Sequence, residues 1–314
     1  MKGIELCERF YLEYGEPMLR EQFSALSELV AIGIVGSGSE CFGYDDEISR
    51  DHDFEPGFCI FLPSEELVDR RAEFSLERAY SKLPREFMGI GRDVLQPVGG
   101  SRHGVIRISD FLTDKTGKPD GILLGKELFF VPEQSLAELT NGKIFFDRLG
   151  MMSGIRERLS YMPEDIRLKK LAGELLLMGQ SGQYNYGRCI ARRETAAAQL
   201  ALAEFVKSAL HTVFLLNKKY MPYYKWSFRA FRELDLLSHI YGDLEYLISS
   251  ANTEAEVAKK NGAIERVCSE VISTLCEQGL SDPCGNELEA YAYSVNQRID
   301  DHEIRNLHIL YGVG

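Results

Sequence analysis

The sequence lacks the features that define several protein classes. It has seven cysteines, but they are widely spaced and none forms a C-x-x-C pair, so a zinc site is not expected. The longest uninterrupted apolar stretches, such as residues 29–36, are far too short to span a bilayer. Residues 1–22 carry charges throughout and contain no apolar core of a signal peptide. We therefore expect a reduced, cytoplasmic protein with no membrane partner.

Positive charge is also scarce. The chain has 36 basic and 48 acidic residues, which gives a formal net charge of −12. A surface of that sign repels a nucleic-acid backbone over most of its area, so nucleic acid is not expected as a partner. The balance favours small-molecule chemistry in which a metal neutralises an anionic substrate.

The first half of the chain predicts a small mixed sheet with helices. At 314 residues the chain is long for one hydrophobic core, and we expect two domains, at 1–150 and 151–314. Apolar periodicity and turn residues predict helices at 18–29 and at about 64–82, the second capped by Ser64. The predicted strands are residues 30–35, 58–62 and 104–109.

The second half predicts an all-α helical bundle, so the fold class is α+β. Residues 165–216 are nearly all helix formers, with an interruption around 182–186. Two amphipathic helices are expected at about 226–249 and 253–279, and a last helix at about 286–298.

A glycine–serine loop (residues 36–39) follows the first predicted strand. Its residues are Gly36, Ser37, Gly38 and Ser39. Glycine lets phosphate oxygens approach the backbone closely and serine adds donors, so the loop can cradle an anion. The alternative is an ordinary turn after a strand.

Two aspartates, Asp51 and Asp53, come shortly after this loop and flank His52. On an extended segment, side chains at i and i+2 point to the same face. Two ionised carboxylates that close repel each other unless a cation lies between them, and hard oxygen ligands suit Mg²⁺. The alternative is a solvated acidic loop with no ligand.

Together these residues resemble the polymerase-β-like nucleotidyltransferase superfamily. The resemblance rests on an apolar strand, a Gly-Ser turn and an Asp-x-Asp motif some ten residues later. The wider segment is similar to an uncharacterised branch in which a helical domain of unknown function follows. The two-domain plan is also similar to that of the aminoglycoside (kanamycin) nucleotidyltransferases. Patches resembling that helical domain are residues 183–188, 192–194 and 217–226.

The resemblance implies a magnesium-dependent nucleotidyltransferase. Asp51 and Asp53 would hold Mg²⁺ or Mn²⁺, and the glycine–serine loop would cradle the β- and γ-phosphates of a nucleoside triphosphate. A hydroxyl of an unidentified small-molecule or protein acceptor would attack the α-phosphorus, and pyrophosphate would leave. The protein contributes positioning and charge neutralisation to such a transfer.

Two further candidates are less well defined by the sequence. Superfamily enzymes carry a third catalytic carboxylate on a neighbouring strand, and here that stretch offers only Asp110, near its end. Lys225 is a candidate to neutralise a phosphate, with Trp226 beside it to stack on a nucleobase. The alternative for Lys225 is a turn packed by aromatic rings.

The doubtful third carboxylate leaves two other functions open. The protein could be a catalytically weak or inactive nucleotide-binding or regulatory module on the same fold. It could also be an interaction protein, such as a toxin–antitoxin partner, built on the helical half.

Overall fold

The computed structural model describes residues 1–48, 54–92 and 103–313. The chain divides into two compact units. Unit 1 comprises Met1–Leu123 and Ser135–Ser160, and unit 2 comprises Leu124–Gln134 and Tyr161–Gly314. The sequence prediction placed one boundary near residue 150. In the structure the chain enters unit 2 briefly at Leu124 and finally at Tyr161.

Unit 1 contains a four-stranded mixed sheet and a short hairpin. The strands in chain order are β1 (Ala31–Ile34), β2 (Cys59–Leu62), β3 (Glu86–Phe87), β4 (Ile90–Gly91), β5 (Gly104–Arg107) and β6 (Lys143–Asp147). The sheet order is β5-β2-β1-β6, and β3 pairs with β4. β1 is antiparallel to both β2 and β6, whereas β2 and β5 are parallel. The end of β1 therefore lies at the same edge as the starts of β2, β5 and β6.

Helices and clusters of buried apolar side chains cover this sheet. The first cluster joins Leu6 and Phe10 to Ile32 and Phe58, and the second includes Phe61 and residues of the later helices. The helices of this part of the chain are α1 (Gly3–Phe10), a π-helical segment (Tyr11–Gly15), α2 (Glu16–Gln22), α3 (Ser24–Ser27), α4 (Ser39–Phe42), α5 (Arg70–Tyr80), α6 (Ile108–Thr116), α7 (Glu133–Thr140) and α8 (Met151–Arg158).

Three sequence predictions in unit 1 are wrong in their bounds. The helix expected at 18–29 is broken at Phe23, whose φ is −137°. The helix expected from Ser64 begins only at Arg70, because the Asp69 side chain accepts a hydrogen bond from the Ala72 amide and caps it. The strand expected at 104–109 ends at Arg107, since Ile108 already begins α6.

Unit 2 is helical in its regular structure. Its elements are a 3-10 helix (Gly125–Phe129), α9 (Glu164–Met178), a π-helix (Gly179–Tyr186), α10 (Gly187–Ala191), α11 (Thr195–Leu216), α12 (Tyr224–Phe231), a 3-10 turn (Ser238–Ile240), α13 (Tyr241–Ser249), α14 (Glu254–Glu277), α15 (Leu288–Gln297) and α16 (His302–Arg305). A small mixed sheet with a helical region confirms the predicted α+β class.

Two helix predictions in unit 2 are corrected. Residues 182–186 remain helical, as part of the π-helix, where a Cβ at Gly182 would overlap the Phe205 ring of α11. The helix expected at 226–249 is two helices, because Leu237 adopts a φ of 64° between α12 and α13. The expected helix at 253–279 is confirmed as α14.

Within the described part of the chain, one helix, α11, is long and apolar enough to cross a membrane by length and composition alone. Counting uninterrupted apolar runs did not reveal it. Of its most apolar stretch, 61% is buried inside the protein, as in the core helix of a globular unit. Its fully buried residues include Leu202, Phe205 and Val213.

Candidate functional site

The glycine–serine loop directly follows β1 and leads into α4. Gly36 has a φ of 129°, a conformation that favours glycine. Its amide donates to Asn141 Oδ1 at 3.0 Å, and Asn141 Nδ2 donates to the Gly36 carbonyl at 2.7 Å. A side chain next to β6 therefore holds the loop by two hydrogen bonds.

A second glycine, Gly142, brings the start of β6 against the end of β1. It has a φ of 64°, and a Cβ there would overlap the carbonyl oxygen of Ile34. The Gly142 amide donates to the carbonyl of Cys41 at 2.8 Å. The loop is thus braced by backbone on one side and by Asn141 on the other.

Exposure within the loop is uneven. Ser37 is exposed, whereas Gly36, Gly38 and Ser39 are buried. Of the predicted cradle, the Ser37 hydroxyl is the group most accessible to a ligand. Ser39 is the first residue of α4.

The predicted metal ligands Asp51 and Asp53, with His52 between them, lie outside the described residues. Phe54, the next residue, is described. A Cβ built on Gly3 would lie 2.6 Å from Cβ of Glu40 and 3.2 Å from Cε2 of Phe54. Phe54 is therefore close to α4, which follows the loop.

The structure does not bring Asp110 to this edge of the sheet. Asp110 lies in the first turn of α6, beyond the C-terminal end of β5, and is exposed. The loop lies at the other edge, because β1 is antiparallel to β2 and β2 is parallel to β5. The pKa of Arg70, at the start of α5, is raised mainly by its hydrogen bond to Glu65 and, to a smaller extent, by the charge of Asp110.

Glu40 is a carboxylate at the loop that sequence reasoning missed. Only 4% of the residue is exposed. Its carboxylate lies against the backbone of Gly38, at the position that a side chain there would occupy. The sequence did offer one indication, because Glu40 directly follows Ser39. A negative side chain next to a predicted phosphate cradle is unexpected, since it would repel the phosphate.

His103 and Glu55 also meet at this edge. His103 Nδ1 lies 3.3 Å from Glu55 Oε1. Burial disfavours the charged imidazole, but hydrogen bonds to Cys7 and Glu55 and the negative charge of Glu40 outweigh it and raise the pKa of His103 to about 9. These contacts favour the protonated form of the His103 imidazole. Sequence reasoning had not considered it.

Across residues 1–48, 54–92 and 103–313, no group of three or more His, Cys, Asp or Glu side chains is arranged to hold a metal ion. The hard carboxylate oxygens that suit Mg²⁺ are those of the Asp-x-Asp motif, outside these ranges.

Lys225 lies in unit 2, in the first turn of α12, and is exposed. Its Nζ lies over the ring of Trp226, 4.8 Å from the centroid. This cation–π contact engages the ammonium group with its neighbour. The predicted role in nucleotide binding stays a prediction.

Unit 2 contains a buried polar cluster that the sequence did not reveal. Lys170 Nζ lies 3.1 Å from Glu133 Oε1, and both side chains are almost fully buried. Glu174, one turn after Lys170 on α9, lies 3.9 Å from His211 Nδ1 on α11. Tyr161 and Tyr220 pack ring to ring at 5.3 Å beside them.

Titration in this cluster is strongly perturbed. Burial raises the pKa of Glu174 to about 7, and the negative charge of Glu133 acts in the same direction. Burial lowers the pKa of His211. Burial therefore favours the neutral form of both side chains.

Comparisons with known proteins show similarity to an uncharacterised family over part of the chain. A family model for a domain of unknown function, DUF4037, matches residues 129–227. No curated protein matches the chain. Among solved structures, a nucleotidyltransferase-like protein from Exiguobacterium sibiricum 255-15 is 11% identical, with a TM-score of 0.37, over 94% of this chain and 81% of that chain. That similarity is too low to transfer an activity. The polar cluster of unit 2 lies entirely within the matched residues.

Proposed function

We propose that this protein is a metal-dependent nucleotidyltransferase of the polymerase-β-like superfamily. Asp51 and Asp53 hold Mg²⁺, and the glycine–serine loop holds the β- and γ-phosphates of a nucleoside triphosphate. The metal, when bound, supplies charge neutralisation to the phosphates. The donor set fits this ion, because carboxylate oxygens are ligands that Mg²⁺ prefers.

One observation carries the proposal: the loop and the entry to β2 share one edge of the sheet. β1 and β2 pair with Gly33 opposite Cys59, so the chain that enters β2 comes from the side of the loop. Phe54, which directly follows Asp53, packs near Glu40 of α4. In the proposal the metal-binding residues, which directly precede Phe54 in the sequence, act together with the glycine–serine loop.

The transfer breaks the bond between the α-phosphorus and the oxygen that bridges to the β-phosphate. A new bond forms between the α-phosphorus and an acceptor hydroxyl, whose proton passes to a base, and pyrophosphate leaves. In the proposal Glu40 replaces Asp110 as the third carboxylate. Glu40 lies against Gly38 in the loop, whereas Asp110 lies at the other end of the sheet.

Thermal unfolding with each nucleoside triphosphate, with and without Mg²⁺, tests binding. We expect metal-dependent stabilisation by about 2.7 kcal/mol when the ligand is at 100 times its Kd. Asp51→Asn and Asp53→Asn should abolish it, because each removes a charged metal ligand. Asp114→Asn is the matched control, since that carboxylate is 72% exposed on α6. If no nucleotide shifts the wild-type protein, the proposal fails.

A second candidate is a nucleotide-binding protein without catalysis. The observation that favours it is the position of Asp110, which leaves the superfamily's usual third carboxylate unassigned by sequence. Pyrophosphate release from the nucleotide that binds, assayed with a panel of hydroxylated small molecules and proteins, separates the two. Binding without release under any condition supports the second candidate.

A further inference from the structure

Two tyrosine hydroxyls in the polar cluster of unit 2 are buried without hydrogen-bond partners. Tyr220 is 7% exposed, and its ring packs against that of Tyr161 with the centroids 5.3 Å apart. Both hydroxyl oxygens are almost inaccessible to solvent, and neither has a partner among the residues that the structure describes. Burying a hydroxyl without a partner is unfavourable, so packing alone does not explain these two groups.

Both hydroxyls lie near the buried Lys170–Glu133 pair. Burial raises the pKa of each hydroxyl, and the charge of Glu133 acts in the same direction on both, which favours their protonated forms. Tyr220 directly precedes Met221, whose amide donates to Glu133 Oε2 at 3.4 Å. The tyrosine hydroxyls and the ion pair therefore form one group of polar atoms.

This group can still form hydrogen bonds of both kinds. Among the described residues, one of the three N–H groups of Lys170 is bonded, to Glu133 Oε1 at 3.1 Å. The Glu133 carboxylate accepts that bond and the bond from Met221, whereas a carboxylate can accept about four. Each tyrosine hydroxyl both donates and accepts. Donors and acceptors are therefore available side by side.

A hydroxyl group is the ligand group that suits this arrangement, because it donates and accepts at once. A carboxylate or phosphate only accepts, and it would place a second negative charge beside Glu133. An ammonium group only donates, and it would place a second positive charge beside Lys170. The two charges of the ion pair already neutralise each other, so the group offers no net charge to an ionic ligand.

The cluster is accessible from solvent at His211 and Tyr161. The His211 side chain is 20% exposed and Tyr161 is partly exposed, whereas the side chains of Lys170 and Glu133 are 8% and 6% exposed. Small-molecule sites commonly combine a few polar groups at depth with aromatic walls. The rings of Tyr161 and Tyr220 supply such apolar surface next to the polar atoms.

We propose that this cluster is a binding site for a neutral polyhydroxylated small molecule, such as a sugar or a cyclitol. The hydroxyls of Tyr161 and Tyr220 and the Lys170–Glu133 pair bind the hydroxyl groups of the ligand. The site uses neither metal nor nucleotide, so it goes beyond nucleotidyl transfer and is tested without it.

Tyr220→Phe tests whether this hydroxyl is free to bind a ligand. We expect the ligand-free variant to be at least as stable as the wild type in urea unfolding, because an unpaired buried hydroxyl is removed. Tyr291→Phe is the matched control in unit 2. Tyr291 is 2% exposed, and its hydroxyl donates to the Gly285 carbonyl at 2.9 Å and accepts from the Cys284 amide at 3.2 Å. This control should lose stability.

A loss of stability in Tyr220→Phe equal to that in Tyr291→Phe overturns the proposal. It would show that the Tyr220 hydroxyl is already bonded in the ligand-free protein, for example to a structural water.

Saturation-transfer difference NMR titrations test the class of ligand. The probes are D-glucose, D-ribose and myo-inositol, with glucose 6-phosphate and glucosamine as charged counterparts. We expect at least one neutral compound to bind saturably and more tightly than either charged one. Tyr161→Phe and Tyr220→Phe should each weaken that binding about 2- to 10-fold, as expected for the loss of one hydrogen bond. Tyr291→Phe should bind like the wild type.

The proposal is overturned if none of the three neutral compounds binds, or if a charged compound binds more tightly. It is also overturned if both phenylalanine variants of the cluster bind like the wild type, or if Tyr291→Phe loses as much affinity as they do. The nucleotide response of the wild type is measured separately, so failure of this proposal and failure of the proposed function are distinguishable.

Discussion

At the scale of single residues, backbone conformation is most restricted around the glycine–serine loop. Gly142 combines a φ of 64° with a position where a Cβ would overlap the Ile34 carbonyl. A left-handed conformation costs a residue with a Cβ about 1–2 kcal/mol, and the overlap adds to that. Gly142→Ala should therefore destabilise the protein by at least about 1–2 kcal/mol in urea unfolding.

The control for this substitution is Gly154→Ala. Gly154 lies in α8, and a Cβ there would meet nothing within 4 Å. Alanine in a helix is favoured over glycine by roughly 0.5–1 kcal/mol, so this variant should be stabilised. Equal stability of the two variants would show that the close approach of β6 to β1 does not affect the free energy of unfolding.

Glu174 predicts a pH dependence of stability. Burial raises its folded-state pKa to about 7 from the ordinary value of 4.5. The folded protein therefore binds this proton more tightly than the unfolded chain does. The contribution of Glu174 to stability is full below about pH 4.5 and is lost as pH rises through about 7, with an upper limit of about 3 kcal/mol.

Urea unfolding of wild type and Glu174→Gln between pH 5 and 8 checks this dependence. Glutamine cannot ionise, so the stability of the wild type relative to the variant should fall as pH rises. His211 acts in the opposite direction: because burial lowers its pKa, its contribution to stability is lost as pH falls. Both proteins contain His211, so it does not distinguish them. A wild-type-minus-variant difference that is constant with pH would contradict the assignment.

At the scale of elements, buried lysines in unit 2 donate hydrogen bonds to carbonyls at helix ends. Lys260 of α14 is fully buried, and its Nζ donates to the carbonyls of Leu247 and Ser250 and to Asn252 Oδ1. These acceptors lie at and after the C-terminal end of α13, where helix carbonyls have no intrahelical donor. Likewise, Lys169 Nζ of α9 donates hydrogen bonds to the carbonyls of Arg305 and Leu307.

Lys260→Met should cost about 1–3 kcal/mol, because it leaves buried acceptors without their donor. Urea unfolding followed by far-UV circular dichroism measures this loss. Lys259→Met is the matched control on the same helix, since that side chain is 67% exposed and pairs with Glu256 at the surface. It should change stability by less than about 0.5 kcal/mol. Similar losses in both variants would show that the Lys260 contacts are energetically unimportant.

At the scale of the whole molecule, net charge predicts partner class. With a formal net charge of −12, the protein should not bind DNA or RNA of mixed sequence at physiological salt. Fluorescence anisotropy with labelled single- and double-stranded oligonucleotides, and retention on heparin, check this expectation. Salt-sensitive micromolar binding would contradict it and would make nucleic acid a candidate acceptor.

Much of the architecture could be predicted from local patterns, and some of it could not. Alternating strands and helices, followed by helix-forming sequence, were sufficient for the α+β class, because periodicity is a property of neighbouring residues. The start of α5 at Arg70 was missed because two residues, Ser64 and Asp69, are competent caps and only Asp69 makes the bond. The break at Leu237 was missed because nothing in its residue type favours a positive φ.

The candidate site, too, could be predicted from the sequence only in part. The sequence by itself determined the glycine–serine loop after an apolar strand and the Asp51-His52-Asp53 motif, because both are contiguous and their chemistry follows from residue type. Only the tertiary structure decided that Glu40 and the His103–Glu55 pair lie at the loop edge, and that Asp110 lies at the opposite one. The physical reason is that strand direction and register arise from long-range pairing of β1, β2 and β5, and no local pattern encodes which end of a strand meets which.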